Sequence, residues 1–493
     1  MNNKVFRIIT LFVVFVSALG VYIPGRAISN PALTPAQTIN IAYFYKPPNM
    51  DAASAANNFD TMILTNGDNT YRDQLRANGF SSTIPEYFRS EAIQDPESCT
   101  AVPLNNQVAY EPGDFCSISQ NHPDWFLLDS HGVRLTVTGG GNYYRMDPGN
   151  PGWRDFFVSR VVQSQNQDGW SALFLDNVEA SLGKFFGNNP ARYPDEASYQ
   201  AAVAGFLQYV DVNYSQRYSR PFFGNIIVLG SDDVWFNYLQ YLDGALTERF
   251  AVNWDETSYL SVNKWEDDME LMERTQAQGK YAILVSPGYQ NDLNRQNFAF
   301  ASYLLISNGK VAFRYAKFSA YREAWLYDNY KLDLGSPLGP RYMVGSRWRR
   351  DFSKGYVVVD PANHTALIQT VTSAPDAGTY DDTNSNWQYG GTWVQYNGSG
   401  PINDTVHYSY SVGDTASFRF NGTQFILTYT QASNRGNIDV YVDGSRITTI
   451  NANGGLQWRK TYTSPTFSSG THTVQFKFAG GNYFMDVDAI QIQ

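Results

Sequence analysis

The stretch Ala172-Leu173-Phe174-Leu175-Asp176-Asn177 decides how this chain is read. Four apolar residues without a polar break describe a strand buried on both faces, the kind that parallel sheets use. A carboxylate closes the run abruptly, at what would be the strand's C-terminal tip. In (β/α)8 barrels these tips form the active face, so an acid there is a catalytic candidate. An Asp that merely caps the next helix would look the same locally. The pattern recurs, however, in Gly244-Ala245-Leu246-Thr247-Glu248.

Outward from this strand, short apolar runs alternate with helical patterns, which signals a parallel α/β fold. The spacing predicts strands over residues 39–45, 59–65, 82–87, 172–176, 222–227, 244–248, 281–285 and 310–315. Between them, Tyr199, Ala202, Val203, Phe206, Leu207 and Val210 recur at three- and four-residue steps, the stripe of a helix packed on a sheet. Asn150-Pro151 reads as a helix start. Eight such units predict a (β/α)8 TIM barrel over residues 38–340. About 60 residues separate the third strand from the next helix, and so long a loop is usually functional. It should overhang the cleft, with Gly139-Gly140-Gly141 as a tight turn or lid.

Past residue 340 the helical period stops. Residues 341–372 read as a small β appendage of the catalytic unit. Residues 379–493 are all-β in pattern: Ala416, Phe418 and Phe420 alternate with polar neighbours, as do Ile438, Val440 and Val442, and Val474, Phe476 and Phe478. Asp443-Gly444 is a hairpin turn. These features predict a C-terminal jelly-roll sandwich.

Residues 1–27 have the form of a secretory signal, with Lys4 and Arg7 ahead of an apolar run and small residues at Gly25 and Ala27. The run is short for a membrane span. A secreted, extracellular protein without a membrane span in its mature chain is expected. In that setting Cys99 and Cys116 should form a disulfide that pins the long loop. The net charge of −10 argues against nucleic acid as a partner, since phosphate binding needs basic patches. Oligomeric state is left open.

The chemistry is found by elimination. There is no Gly-x-Ser-x-Gly elbow and no P-loop, and His122, His131, His364, His407 and His472 are too scattered for a zinc motif. No cofactor is expected, with carboxylate-bound Ca²⁺ in the C-terminal module kept open. Carboxylates remain. Asp176 and Glu248, on the fourth and sixth strands, can face each other across a cleft, as glycoside hydrolysis requires. Glu248 would be the general acid if its surroundings raise its pKa; Glu179 is the substitute. Tyr43, Tyr45, Asn66, Asp68, Glu86, Asn177, Asn225 and Arg314 with Tyr315 lie near expected tips and suit sugar hydroxyls. Trp254 and Trp235 are candidate stacking platforms.

Ile41-Ala42-Tyr43-Phe44-Tyr45-Lys46, Tyr144-Arg145-Met146-Asp147-Pro148, Gly169-Trp170 through Asp176-Asn177, and Gly244 through Glu248 together resemble a family of hypothetical glycoside hydrolases related to the α-1,4-polygalactosaminidase-like hydrolases. The resemblance covers about residues 38–372 and implies Asp176 and Glu248 as the catalytic pair, with Asn177 beside them. The tail, through Tyr380-Asp381-Asp382, Trp387, Trp393, His407-Tyr408-Ser409 and Asp486-Val487-Asp488, resembles jelly-roll modules of secreted carbohydrate-active proteins. The expectation is a secreted glycoside hydrolase acting on a polysaccharide or oligosaccharide. Its rival is a non-catalytic glycan-binding protein on a degenerate barrel, which separated or outward-facing acids would favour.

Overall fold

The computed structural model describes residues 39–137, 142–227, 232–370 and 374–493. The expected signal and the Gly139-Gly140-Gly141 run lie outside the described residues.

Eight parallel strands organise the N-terminal region: β1 (Ala42–Phe44), β2 (Thr61–Ile63), β3 (Glu86–Arg89), β4 (Leu173–Glu179), β5 (Phe222–Ile227), β6 (Gly244–Thr247), β7 (Tyr281–Pro287) and β8 (Val311–Ala316). β3 to β8 pair in that order in one sheet, and β1 pairs with β2. Parallel bridges Leu64–Glu86 and Ile41–Phe313 connect β2 to β3 and β8 to β1. Their side chains alternate between two apolar clusters, as strand geometry dictates. Phe44, Ile63, Tyr87, Phe174, Leu246, Ile283 and Ala312 belong to one, whereas Tyr43, Met62, Phe88, Leu175, Ala245, Leu284 and Phe313 join the other, with the helices. Burial on both faces is why these strands read as unbroken apolar runs.

The intervening helices start where capping residues stand. Asn150 Oδ1 accepts the N–H groups of Gly152 (2.9 Å) and Trp153 (3.2 Å), and helix Pro151–Asp168 ends at Gly169 in a left-handed conformation, φ 79°. Asp195 and Ser198 form a capping box ahead of Glu196–Val210. Helix Leu293–Ile306 is buried on every side from Phe298 onward because a four-stranded antiparallel sheet (Tyr342–Val344, Arg347–Phe352, Gly355–Asp360, Thr365–Thr370) covers its outer side. Arg350 of that sheet donates to the carbonyls of Leu304 (3.1 Å) and Ser307 (2.6 Å), capping the helix's last turn.

The long segment after β3 carries a short antiparallel strand pair, Ala92–Gln94 with Tyr143–Arg145, and between its strands a helix at Asp114–Asn121. Cys99 and Cys116 form a disulfide, Cα to Cα 5.7 Å.

The C-terminal region is all-β. A four-stranded and a five-stranded antiparallel sheet share one apolar core. Phe418, Val440 and Phe476 come from the larger sheet and Phe425, Leu427 and Ile490 from the smaller; the rings of Phe425 and Phe476 lie 5.8 Å apart. Trp387 is buried against Phe418. Trp393 packs on Tyr389 and donates to the Gly390 carbonyl. Asp443 and Gly444 both take positive φ at the tip of a hairpin, as a type I′ turn demands.

Candidate active site

β4 does not run evenly to its tip. Its pairing with β5 slips between Leu175 and Val178, and Asn177 takes a left-handed backbone, φ 54°. This bulge falls on Asp176 and Asn177, and bulges re-aim side chains beside functional sites. The distortion is held from the neighbouring strand. Ser90, just past β3, donates its N–H (3.0 Å) and its hydroxyl (2.8 Å) to the Asp176 carbonyl. Asn177 Nδ2 reaches Glu91 Oε1 at 3.1 Å, and Glu91 is itself paired with Arg89.

The Asp176 carboxylate is saturated with donors. Oδ1 accepts from the Asn177 N–H and from Asn225 Nδ2, each at 2.9 Å. Oδ2 accepts from the Tyr87 hydroxyl and from Asn177 Nδ2 at 3.3 Å. Glu248 directly follows β6, and its Oε1 accepts from the Tyr321 hydroxyl at 3.3 Å. Burial, and after it the charge of Asp176, pushes the Glu248 carboxyl from the ordinary 4.5 up to about 7, against hydrogen bonds from Asn225 and Tyr321. Asn225 stands on β5, between the two acid-bearing strands, and touches both acids. It is 2% exposed, and its Oδ1 has no hydrogen-bond partner among the described residues. Two carboxyls that share one buried amide, with Glu248 driven toward its neutral form, place a proton donor beside a second acid.

Other residues singled out by sequence fall into place around this group. Tyr45 sets its ring edge-on to Tyr87 (5.3 Å), and burial together with Asp176 raises its hydroxyl above the ordinary range. Tyr43 is buried, and its hydroxyl donates to the Arg322 carbonyl. The Arg314 guanidinium stacks between Tyr43 (4.5 Å) and Tyr321 (4.3 Å) and donates to the Tyr321 carbonyl. Tyr43 and Arg314 thus anchor the segment that carries Tyr321. Trp254 is exposed and packs on Phe318, ring centroids 4.3 Å apart, and Phe318 lies parallel to Tyr321. An aromatic strip therefore leads from solvent to Glu248.

Several candidates are not brought to the acids. Asp68 Oδ2 accepts from the Thr65 N–H (3.1 Å) and hydroxyl (2.8 Å), a capping box at a turn that Asn66 opens. Glu86 begins β3 rather than ending it; it is fully buried, takes the Ser164 hydroxyl, and is driven by desolvation to about 8. Trp235 is core, its Nε1 donating to Thr275 at 2.9 Å. Tyr315 is buried among Trp325 and Tyr327. Glu179 sits on β4 but is buried 3.8 Å from Arg145; burial raises it to about 7, which Arg145 and Lys184 oppose and Glu91 and Asp176 reinforce. Sequence reasoning missed Tyr87 and Tyr321, the hydroxyl donors to the two acids. Tyr87 reads as one more apolar strand residue, and Tyr321 belongs to no motif.

Among the described residues, the three-membered acidic group spaced to hold a metal ion is Asp381, Asp382 and Asp488 in the C-terminal region, not at this site. Among the same residues, no helix is long and apolar enough to cross a membrane.

The chain matches no curated protein. Among solved structures, it is similar to the glycoside hydrolase domain of PelA from Pseudomonas aeruginosa, 14% identical over 57% of this chain and 95% of that one, with a TM-score of 0.39. A Paenibacillus sp. cycloisomaltooligosaccharide glucanotransferase, complexed with cycloisomaltoheptaose, is 14% identical over 92% of this chain and 57% of its own, TM-score 0.35. The CBM36-1 domain of a multidomain xylanase from the hindgut metagenome of Trinervitermes trinervoides is 18% identical over 24% of this chain and 95% of its own, TM-score 0.20. The model of one family matches residues 97–356, more than half of the 493 residues and a span that includes Asp176, Glu248 and Tyr321. By that match the chain belongs to Hypothetical glycosyl hydrolase family 15.

Proposed function

We propose that this protein is a secreted glycoside hydrolase that cleaves a glycosidic bond of a polysaccharide or oligosaccharide with two carboxyl groups. The eight parallel strands and their helices form a (β/α)8 barrel in this reading, and the acids stand at the C-terminal strand ends where such barrels work. The observation that carries the proposal is the Asp176–Asn225–Glu248 group on three successive strands, with Glu248 held up to about 7. Glu248 gives its proton to the departing glycosidic oxygen as the C–O bond breaks. Asp176, an acceptor of four hydrogen bonds, supports the positive charge that develops at the anomeric carbon until a water oxygen bonds to that carbon and the proton the water releases restores Glu248. Trp254 and Phe318 offer apolar faces on which sugar rings stack.

The rival reading as a binding protein wants the acids apart or facing outward; a shared amide speaks against it. The C-terminal sheets form a jelly-roll accessory module that keeps the enzyme near polymeric substrate. Exposed Tyr396, whose ring lies parallel to Trp458 at 6.3 Å, is its candidate platform. Secretion agrees with the Cys99–Cys116 disulfide.

The deciding experiment is a panel of polysaccharides scored for new reducing ends, with wild type, Asp176→Asn and Glu248→Gln in parallel. Each variant should lose about 10²–10⁴-fold in turnover. Near-normal turnover by both variants on a substrate the wild type cleaves, or binding without cleavage across the panel, rejects the proposal.

A further inference from the structure

On the reading of this protein as carbohydrate-active, we infer that the cleft between the antiparallel sheet Tyr342–Thr370 and the C-terminal β-region is a second carbohydrate site. It holds a short stretch of neutral glycan apart from the acids. The cleft measures about 600 Å³, and neither Asp176 nor Glu248 lines it. Clefts of this size at the junction of two regions are where small ligands commonly bind.

Strand geometry builds the walls. In the five-stranded sheet, Thr415, Thr473, Gln475 and Tyr441 alternate with the core residues Ala416, Val474, Phe476 and Val440, which sends them to the outer face. Pairing sets Gln475 opposite Tyr441. Tyr342 and Trp348 line the cleft from the antiparallel sheet. At two points the regions approach too closely for a side chain. A Cβ on Gly339 would run into the Asp443 carbonyl, and one on Gly390 would stand 2.6 Å from Val344. Arg419 also donates a hydrogen bond across the junction to the Ser353 carbonyl. The walls are thus in place before a ligand arrives, which spares binding the entropy of bringing them together.

The lining selects the ligand. Thr415 and Thr473 are 3% and 6% exposed, yet their Oγ1 atoms have no hydrogen-bond partner among the described residues. Buried hydroxyls are rarely left so. Three carboxylates border the cleft, each already engaged by protein donors. Asp351 accepts from Arg349 (2.6 Å) and Tyr342, Asp443 meets His472 (2.7 Å) and the Thr473 N–H (2.8 Å), and Asp414 accepts from the Ser409 hydroxyl (2.6 Å). Lys477 is the only cation lining the cleft among the described residues, so the charge balance repels an anion. An apolar ligand would leave the Gln475 amide and the hydroxyls unpaired. A neutral sugar meets both demands, because its hydroxyls donate and accept while its C–H face lies on a ring such as Tyr441 or Trp348. A polymer anchored here stays with the catalytic unit between cleavage events, which raises its effective concentration at the acids.

The test uses the full chain carrying Glu248→Gln, so that no probe is cut. It is screened on an array of neutral, uronic-acid and sulfated oligosaccharides, and the neutral one held most tightly is titrated by calorimetry. Tyr441→Ala and Gln475→Ala should each weaken one binding event by about tenfold or more, and Trp254→Ala should weaken a different one. If Tyr441→Ala does not melt cooperatively, Gln475→Ala, at a partly exposed position, decides the matter. Preference for the acidic glycans, no binding to any neutral one, or neutral binding that the cleft variants leave intact overturns the inference. A dimer in sedimentation that Tyr441→Ala dissociates overturns it too, since a second copy would then be the occupant. A wild type that cleaves a glycan while the cleft variants bind it unchanged sinks this site alone, whereas binding at the cleft without cleavage sinks only the catalytic reading.

Discussion

Replacing Glu248 with glutamine should weaken catalysis and, above neutral pH, strengthen the fold. Burial and the neighbouring Asp176 push this carboxyl from 4.5 up to about 7. The folded protein therefore holds the Glu248 proton more tightly than the unfolded chain does. The stability that this proton contributes is whole below pH 4.5 and is lost as pH rises through 7. Each tenfold change in proton affinity corresponds to about 1.4 kcal/mol, so the full effect is ~3 kcal/mol. Glu248 keeps part of its surface at the strand tip open to solvent, which trims this to ~1–2 kcal/mol. Glutamine keeps the shape and never carries the charge. Thermal melts should place the variant roughly 2–6 °C above wild type at pH 8.5 and level with it at pH 4.5. Turnover at mildly acidic pH, read as reducing ends released, should fall about 10²–10⁴-fold. A melting difference that stays constant between pH 4.5 and 8.5 would refute the electrostatic reasoning, whatever happens to turnover.

Tyr321→Phe removes a hydrogen bond that lowers the Glu248 pKa, so the basic limb of the kcat/KM profile should move to higher pH. A limb that moves to lower pH contradicts the assigned donor. Trp254→Ala should raise KM several-fold with kcat nearly unchanged, since stacking on an exposed ring holds ground and transition states alike; initial-rate kinetics on the cleaved substrate check this. Cys99→Ala with Cys116→Ala opens a crosslink of sequence separation 17 and should cost about 3 kcal/mol, measurable in denaturant melts and reproduced by reducing the wild type.

The parallel strands were legible because burial on both faces leaves an unbroken apolar run, and the acids were legible because each interrupts one. What periodicity could not supply was which end of a strand a polar residue occupies. Residues 82–87 read as the third strand, which put Glu86 near a tip; the strand begins at Glu86, and the side chain faces Ser164 instead. The tyrosines that hydrogen-bond the acids were invisible for a different reason. A tyrosine contributes the same apolar body to a pattern whether its hydroxyl meets a carboxylate, as in Tyr87, or a backbone carbonyl, as in Tyr43. Asp68 and Asn66 looked functional because capping and catalysis draw on the same short polar side chains. The bulge at Asn177 leaves no compositional mark, since asparagine tolerates a left-handed backbone wherever it is placed.

The tether between Arg314, Tyr43 and the Tyr321 segment limits where this chain can be cut. A fragment ending with the last parallel strand would retain both acids but lose the hydroxyl that meets Glu248, and one lacking β1 would lose the clamp on Arg322. Arg350 extends the constraint, because trimming at residue 340 would uncap the Leu293–Ile306 helix that packs on β8. The shortest piece expected to keep a properly tuned acid runs from residue 39 to residue 370. Dissection of this protein into an active half and an accessory half should therefore begin after the antiparallel sheet, not before it.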